Sequence, residues 1–396
     1  MSGQDPDINS VSVEECQLVW NGKEWVVTYK RHEKEAKDAG RPTWRDENMS
    51  HDRLKVAATT VFLLNGNPVK IADDDGKVVE IPPPDLSKCE VRWFKNEYAP
   101  FDKVRKYPST TVRIVNADVV DFVHDLNARY KSQGLDRKVI ALNMANQFTP
   151  GGGFVKGRLA QEEALCFRTS LYSQLDKKQY EGPTGFGEFT ASVELNVPVL
   201  RKSMDDGFAF LKPEERWDMN FVSAASYDRH KEPKEVQKGP LSPKQFAGVH
   251  TKINAILCAA ANAGADTVVL GALGCGAFAN PPDQVSMIFE RILHRFAGVF
   301  EYVYFAILAA PTDVKLSTFQ QTLVGKPVDD PAVYFKPTLT KEDDEAKGAV
   351  YDAPTEEIAL PSGHILPPCP KMGECDDTSA EHCSAFEHLC FPPHSS

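Results

Sequence analysis

The sequence predicts an α/β domain with a largely parallel, buried sheet, and three observations indicate it. Between about residues 109 and 325, short apolar runs alternate with helical patterns. These runs have the length and composition of strands buried on both faces. Two glycine-rich segments, 150–153 and 271–276, directly follow two of the predicted strands. We therefore expect a ligand site at the carboxyl ends of the strands.

The elements follow from the spacing of apolar residues. We predict strands over 110–115, 138–142, 219–224, 267–270 and 302–308. We predict helices over 53–64, 118–130, 162–175, 243–263 and 283–296. Near the N-terminus, the Asn21-Gly22 pair between Trp20 and Trp25 predicts a hairpin turn, because Asn-Gly tolerates positive φ.

Composition excludes several classes of protein. The chain has 396 residues, and 45 Lys and Arg against 56 Asp and Glu give a net charge of −11, so we expect no direct binding of duplex nucleic acid. No apolar run approaches the roughly 18 residues of a membrane span, and the first residues have no secretory pattern. We expect a monomer in a reducing, intracellular compartment, the nucleus or the cytoplasm.

Changes in composition predict four parts. They are an N-terminal extension (1–44), a central α/β domain (45–325), a flexible linker rich in Pro and charged residues (326–364), and a Cys/His-rich module (365–393).

The first glycine-rich segment is followed by two adjacent acids. Three consecutive glycines, 151–153, let a backbone approach a ligand closely and form an anion nest, although a tight turn is the alternative. Glu162 and Glu163 begin a helix, where the helix dipole alone favours carboxylates. Adjacent helix positions do not share a face, so we expect the two acids to have different roles. Glycosidases usually present two separated carboxylates, and this segment supplies two carboxylates from neighbouring residues.

The run GGG, seven residues, then QEE resembles the signature of the poly(ADP-ribose) glycohydrolases, and NMAN before GGG resembles the loop of macrodomains. The match is closer to the microbial-type glycohydrolases, whose pattern is echoed in RLKVAATTVFLLNGN, VPVLR and VVLGALGCGAFANPP. The resemblance covers about residues 45–325 and implies a macrodomain-like mixed sheet flanked by helices.

The resemblance also implies roles for individual residues. It implies that Glu163 is catalytic and that Glu162 holds the terminal ribose hydroxyls, with Asn146 beside it. It implies that Asp118 accepts a hydrogen bond from the adenine amino group. The remaining implied ligand-binding residues are Gly151, Gly152, Gly153, Gln161, Gly274, Cys275, Gly276, Ala277 and Phe278.

The implied reaction is hydrolysis of the ribose–ribose O-glycosidic bond, which releases ADP-ribose and needs no cofactor. A protonated Glu163 gives its proton to the leaving oxygen, and its carboxylate then activates water. We expect the nearby Glu162 and the phosphates of the ligand to raise the pKa of Glu163. Two alternatives stay open: an inactive ADP-ribose reader, and a hydrolase of mono-ADP-ribosylated substrates. The expected partners are poly(ADP-ribose) and ADP-ribosylated proteins.

The C-terminal module predicts a structural zinc ion. Cys369, Cys375, His382 and His388 have the residue types and loop sizes of a tetrahedral site. A segment this short needs a metal to fold, and a disordered tail is the alternative. The spacing resembles the poly(ADP-ribose)-binding zinc finger. However, Asp376 and Asp377 follow the second cysteine where that family has Tyr-Arg, and two carboxylates would repel a pyrophosphate.

Overall fold

The computed structural model describes residues 7–43, 46–72, 76–95, 106–175, 180, 187, 190–310 and 313–324, and the backbone of three short strands beyond them. The chain forms two compact units, each built from separate segments. The first contains 1–91, 145–185 and 194–221, and the second contains 92–144, 186–193 and 222–396.

The helices and strands are numbered in chain order. The helices are α1 (Val13–Cys16), α2 (Gly22–Asp38), α3 (Glu47–Leu64), α4 (Val119–Ser132), α5 (Gln161–Arg168), α6 (Leu171–Gln174), α7 (Lys234–Gln237), α8 (Pro243–Asn262), α9 (Pro282–Arg295) and α10 (Val314–Val324). The strands are β1 (Val19–Trp20), β2 (Val69–Ala72), β3 (Val78–Ile81), β4 (Glu90–Lys95), β5 (Ser109–Val115), β6 (Val139–Ala145), β7 (Thr190–Pro198), β8 (Asp218–Ala225), β9 (Thr267–Leu270), β10 (Tyr302–Ala306), β11 (Lys336–Thr340), β12 (Ile358–Ala359) and β13 (Ile365–Leu366).

The main sheet is mixed and has eight strands in the order β11-β5-β10-β9-β6-β8-β7-β4. Strands β5, β10, β9 and β6 are parallel neighbours, and Val303 of β10 pairs with Val112 on one side and Val268 on the other. Strand β11 is antiparallel to β5. Within the second unit, the parallel strands place the loops after β5 and β9 at the carboxyl edge of the sheet.

The core of the second unit contains a cluster of aromatic rings in edge and tilted contacts. Phe289 of α9 makes an edge contact with Phe305 of β10 at 5.0 Å, and Phe319 of α10 lies 5.6 Å from Phe305. All three side chains are fully buried. Each such ring pair adds about 0.5–1.5 kcal/mol of stability to the contribution of its buried apolar area. These contacts therefore stabilise the packing of α9 and α10 on this part of the sheet.

The first unit is organised around α3. This helix is buried on most sides, and its C-terminal turn packs Leu63 against the sheet β1-β2-β3 through Val69, Ile71 and Ile81. Asp46 caps the N-terminus of α3 by accepting a hydrogen bond from the Met49 N–H at 3.2 Å. A second buried face of α3 meets the loop that follows β6.

Most predicted elements in the central domain are confirmed, among them α3, α4, α8, α9 and five strands. The hairpin at Trp20–Trp25 is wrong. Asn21 instead caps α2, since its Oδ1 accepts the Glu24 N–H at 3.2 Å.

The single helix predicted over 162–175 is also wrong. It is interrupted between α5 and α6, where the Ser170 N–H donates to the Pro198 carbonyl at 2.9 Å. Strands β2, β3, β4 and β7 were not predicted.

The predicted linker 326–364 contains the strands β11 and β12. None of the described helices is both long enough and apolar enough to cross a bilayer.

Candidate active site

The site begins where β6 ends. Asn146 directly follows this buried strand. Its Oδ1 accepts hydrogen bonds from the N–H groups of Phe148 at 2.9 Å and Thr149 at 3.0 Å. This side-chain turn fixes the direction in which the chain enters the glycine segment 151–153.

Glu162 binds the same loop from the start of α5. Its Oε2 accepts the Asn146 N–H at 2.7 Å and its Oε1 accepts the Gly151 N–H at 3.1 Å. The side chain is only 3% exposed. The structure therefore brings Glu162 and Asn146 into direct contact, and Glu162 bridges two points of the loop.

Glu163 contacts different N–H groups of the loop. Its Oε1 accepts the Gly153 N–H at 2.6 Å and its Oε2 accepts the Ala160 N–H at 2.9 Å. The residue is 8% exposed. Each oxygen accepts one N–H among these contacts, and a carboxylate has about four lone-pair positions. The carboxyl group is thus held in place and retains positions for a proton.

The pKa of Glu163 is raised above its ordinary value, and burial is the largest cause. The N–H bonds from Gly153 and Ala160 oppose this by stabilising the charged form. The direction agrees with the expectation from the sequence, and burial of the carboxyl group is the largest cause of the shift.

Both carboxylates converge on Gly152, which has a φ of +58°. A Cβ atom at Gly152 would lie 2.5 Å from the Glu163 Oε1 and 3.1 Å from the Glu162 Oε2. A side chain at this position would therefore displace the acids directly. The space next to the two carboxylates therefore requires glycine at this position. From the sequence, the three glycines were explained by the close approach of a ligand, and the two acids are a second reason.

The other implied residues near α5 are placed as follows. Gly151 also has a positive φ, +71°, and a Cβ there would meet the ring of Tyr172 at 2.8 Å. Gln161 is the first residue of α5 and is half-buried. Gly151, Gly153 and Gln161 thus lie within the loop and helix start that carry the two acids.

Asp118 lies in the second unit and caps α4. Its Oδ1 accepts hydrogen bonds from the N–H groups of Val120 at 2.9 Å and Asp121 at 3.2 Å. This capping accounts for an aspartate at that position on structural grounds. The contact with adenine implied by the resemblance stays a prediction.

The second glycine-rich loop is also in the second unit and follows β9. Gly274 has a φ of +70°, and a Cβ there would lie 2.5 Å from both the Asn280 Nδ2 and the Ser226 Oγ. Cys275 is buried, which raises the pKa of its thiol. Gly276 and Ala277 are exposed and Phe278 is half-buried.

Sequence reasoning missed Asn280, at the end of this loop, and Ser226, which follows β8 and lies beside Gly274. The Asn280 Nδ2 donates to the carbonyl groups of Tyr227 at 2.8 Å and Gly274 at 3.1 Å. The Asn280 Oδ1 and the Ser226 Oγ are buried and have no hydrogen-bond partner within the described part of the chain. In the sequence, Asn280 could be noticed only as a polar residue directly after an apolar, glycine-rich loop.

A cleft of about 670 Å³ lies elsewhere in the first unit. Trp20 and Phe210 line it together with Lys23, Lys202 and Lys212, and with acids that include Asp205. None of the implied catalytic or ligand-binding residues lines this cleft. The volume of this cleft therefore does not mark the candidate catalytic site. The buried carboxyl groups of Glu162 and Glu163 mark it instead.

The four predicted zinc ligands, Cys369, Cys375, His382 and His388, lie outside the described residues. Within the residues that are described, no group of three or more His, Cys, Asp or Glu side chains could hold a metal ion.

Comparison with known families gives one match. The family model "Microbial-type PARG, catalytic domain", where PARG denotes poly(ADP-ribose) glycohydrolase, matches residues 70–182. This range contains Asp118, Asn146, the glycine segment 151–153 and both acids, and it ends before the second glycine-rich loop. No curated protein matches the sequence.

Solved structures of a bacterial enzyme resemble this fold. The poly(ADP-ribose) glycohydrolase of Thermomonospora curvata is 25% identical with a TM-score of 0.54, and the alignment covers 69% of this chain and 99% of that one. A glutamate-to-alanine mutant of it is 26% identical over the same shares, with a TM-score of 0.53. Its complex with the inhibitor ADP-HPD is 26% identical with a TM-score of 0.52, covering 68% and 99%.

Proposed function

We propose that this chain is a poly(ADP-ribose) glycohydrolase, a glycosidase that cleaves ribose–ribose O-glycosidic bonds and releases ADP-ribose. One observation carries the proposal. Within the segment that matches the microbial-type catalytic domain, the Glu163 carboxyl is buried, is fixed by two N–H groups, and has a raised pKa. A carboxyl group in that state suits a general acid.

The mechanism follows from these contacts. A raised pKa increases the fraction of Glu163 that is protonated, so that the group can donate its proton to the leaving ribose oxygen. After that transfer, the N–H groups of Gly153 and Ala160 stabilise the carboxylate. The carboxylate then accepts a proton from the attacking water. No cofactor takes part in these steps.

Glu162 has a supporting role in this proposal. It holds the backbone of Asn146 and Gly151, and so it sets the shape of the loop against which a ribose would lie. We propose that it also contacts the terminal ribose hydroxyls. For Asp118 and the loop 274–278, we propose contacts with adenine and diphosphate, respectively, as the resemblance implies.

The test uses defined substrates and identification of the products. The full chain is incubated with poly(ADP-ribose) of known length and, separately, with a mono-ADP-ribosylated protein. Release of ADP-ribose from the polymer supports the proposal. Release from the mono-ADP-ribosylated protein alone indicates the narrower hydrolase, and tight ADP-ribose binding without any release indicates a reader.

The C-terminal module enters as a separate proposal. Cys369, Cys375, His382 and His388 would hold one structural zinc ion in a module that is tethered to the glycohydrolase domain. We also propose an intracellular location, in the nucleus or the cytoplasm, where such a chain would meet ADP-ribosylated proteins.

A further inference from the structure

Arg53 is a buried cation that has only neutral partners. It lies on α3, is 1% exposed, and forms no ion pair with a carboxylate among the described residues. Its Nε donates to the Gly157 carbonyl at 2.6 Å, its Nη1 to the Tyr29 hydroxyl at 2.7 Å, and its Nη2 to the Ser50 Oγ at 3.2 Å. Removing a charge from water is costly, so this position calls for an explanation.

The Gly157 carbonyl that Arg53 holds belongs to the loop between the glycine segment and α5. Gly157 has a φ of +63° and ends the single helical turn Phe154–Lys156. A Cβ at Gly157 would meet the Leu54 Cγ at 3.1 Å, so the loop backbone packs directly on α3. The Nε bond of Arg53 therefore fixes the loop where it contacts the helix.

Gly157 lies between the two N–H groups that hold the proposed acid. Gly153 precedes it and donates to the Glu163 Oε1, and Ala160 follows it and donates to the Glu163 Oε2. The Arg158 N–H donates to the Gly153 carbonyl at 3.0 Å, which ties the two sides of Gly157 together. A displacement of Gly157 would change both contacts of the carboxyl group.

Tyr29 extends this chain of contacts to the N-terminal helix α2. Its ring stacks on Trp25 at 4.7 Å between centroids, and the Trp25 Nε1 donates to the Asp52 carbonyl at 3.1 Å. Helix α2 belongs to the segment 1–44, for which the sequence suggested no role, and it lies outside residues 70–182 that match the family model.

We infer that Arg53 and Tyr29 are positioning residues, which hold Gly157 so that the N–H groups of Gly153 and Ala160 keep the Glu163 carboxyl in its reactive place. The inference rests on the proposed function, because it assigns these residues to the acid of that reaction. It gives the N-terminal segment a part in catalysis without contact with the substrate.

The test compares matched tyrosine variants of the full chain. Tyr29→Phe removes only the hydroxyl that accepts from Arg53. Tyr130→Phe is the control, because Tyr130 is also a buried helical tyrosine, with its hydroxyl 2.9 Å from the Thr267 Oγ1. Arg53→Lys keeps a positive charge but cannot reach all three acceptors at once.

We expect kcat on poly(ADP-ribose) to fall by about tenfold in Tyr29→Phe and by up to about a hundredfold in Arg53→Lys, the range for a misplaced catalytic group. KM should change less than kcat does, because neither side chain contacts the substrate. Tyr130→Phe should keep the wild-type kcat. Unchanged kcat in both folded variants, or an equal fall in the control, overturns the inference.

A titration separates this inference from the proposed function. The pKa of Glu163 is followed by carbon NMR of glutamate carboxyl groups, with Glu163→Gln for assignment. Weaker N–H bonds should raise this pKa in Tyr29→Phe and Arg53→Lys, since those bonds lower it in the wild type. An unchanged pKa overturns the inference. An inactive wild type in which the pKa responds this way overturns only the proposed function.

Discussion

Glu162 and Glu163 are adjacent in the sequence but bind different N–H groups of one loop. Glu162 contacts Asn146 and Gly151, and Glu163 contacts Gly153 and Ala160. The sequence predicted two separate roles, and the two carboxylates have separate contacts. It did not indicate that both carboxylates would meet at Gly152, because this depends on how the loop folds back over the start of α5.

Replacement of Glu163 by Gln should abolish turnover and leave ADP-ribose binding intact. The amide preserves size and can accept one of the two N–H bonds, but it has no carboxyl proton to donate. We expect kcat to fall by about a hundredfold or more, measured by ADP-ribose release, with binding followed by calorimetry. Activity above about a hundredth of wild type would contradict a general-acid role.

Glu162→Gln is the matched control for that variant. Its amide nitrogen would face the N–H of Asn146 or Gly151, so one buried donor loses its partner, at a cost of about 1–3 kcal/mol. We therefore expect this variant to lose stability as well as activity. Glu163→Gln also leaves one N–H without an acceptor, but it removes a carboxylate whose charged form burial disfavours, so its change in stability at neutral pH should be smaller.

The raised pKa of Glu163 predicts a pH dependence of stability. The folded state binds this proton more tightly than the unfolded chain does. The resulting stabilisation is complete below the ordinary glutamate pKa of about 4.3 and is lost as pH rises through the folded value. Glu163→Gln removes this titration.

Denaturant unfolding of both proteins between about pH 4 and pH 8 measures this effect. The free energy of unfolding of the wild type, relative to that of Glu163→Gln, should decrease as pH rises. A relative stability that is constant, or that increases with pH, would show that the folded pKa of Glu163 is not raised.

A single added methyl group in the loop between β6 and α5 should displace the proposed acid. Gly152→Ala places a Cβ 2.5 Å from the Glu163 Oε1 at a φ of +58°. We expect a fall in kcat of at least about tenfold, because the acid is displaced. Gly239→Ala is the control, since Gly239 has no positive φ and its nearest neighbour is the Val236 carbonyl at 3.4 Å.

ADP-ribose affinity decides how the glycine acts. If Gly152→Ala binds ADP-ribose normally but turns over slowly, the glycine is required by the acids. If the folded variant keeps its kcat and loses affinity, the ligand itself needs the space, which is the original interpretation of the three glycines.

Elements with regular apolar spacing were predictable, and those defined by a cap or a distant contact were not. Helix α3 and strand β6 follow from their residues alone. At Asn21, the same Asn-Gly pair that favours a hairpin instead caps α2. The end of α5 depends on the contact of Ser170 with Pro198, which is distant in sequence. Strand β7 is buried but was not predicted, because polar residues interrupt its apolar ones.

In the molecule as a whole, the sequence suggested consecutive domains, whereas each compact unit collects distant segments. The first unit combines 1–91 with 145–185 and 194–221. The family resemblance starts near residue 45 and therefore does not include Tyr29 of α2, which contacts Arg53. It includes Arg53 and Gly157 but did not indicate that they would be in contact. Such contacts depend on packing between segments, which apolar periodicity does not encode.

The C-terminal module yields a prediction that involves the complete chain. Full-length protein should contain one zinc ion, and truncation after residue 360 should remove it, as measured by metal analysis. Cys369→Ser should also lose the ion, because a hydroxyl is a poor substitute for a thiolate ligand. Cys383→Ser is the matched control, since Cys383 lies in the same tail but is not among the four predicted ligands.

The truncated protein should cleave short poly(ADP-ribose) at nearly the wild-type rate, because every group proposed to act on the substrate precedes residue 360. A deficit should appear only with long polymer or modified protein, where a tethered module raises the effective concentration. Asp376 and Asp377 would repel pyrophosphate, so we expect even that deficit to be small. Loss of short-substrate hydrolysis in a folded truncation would instead make the tail part of the catalytic machinery.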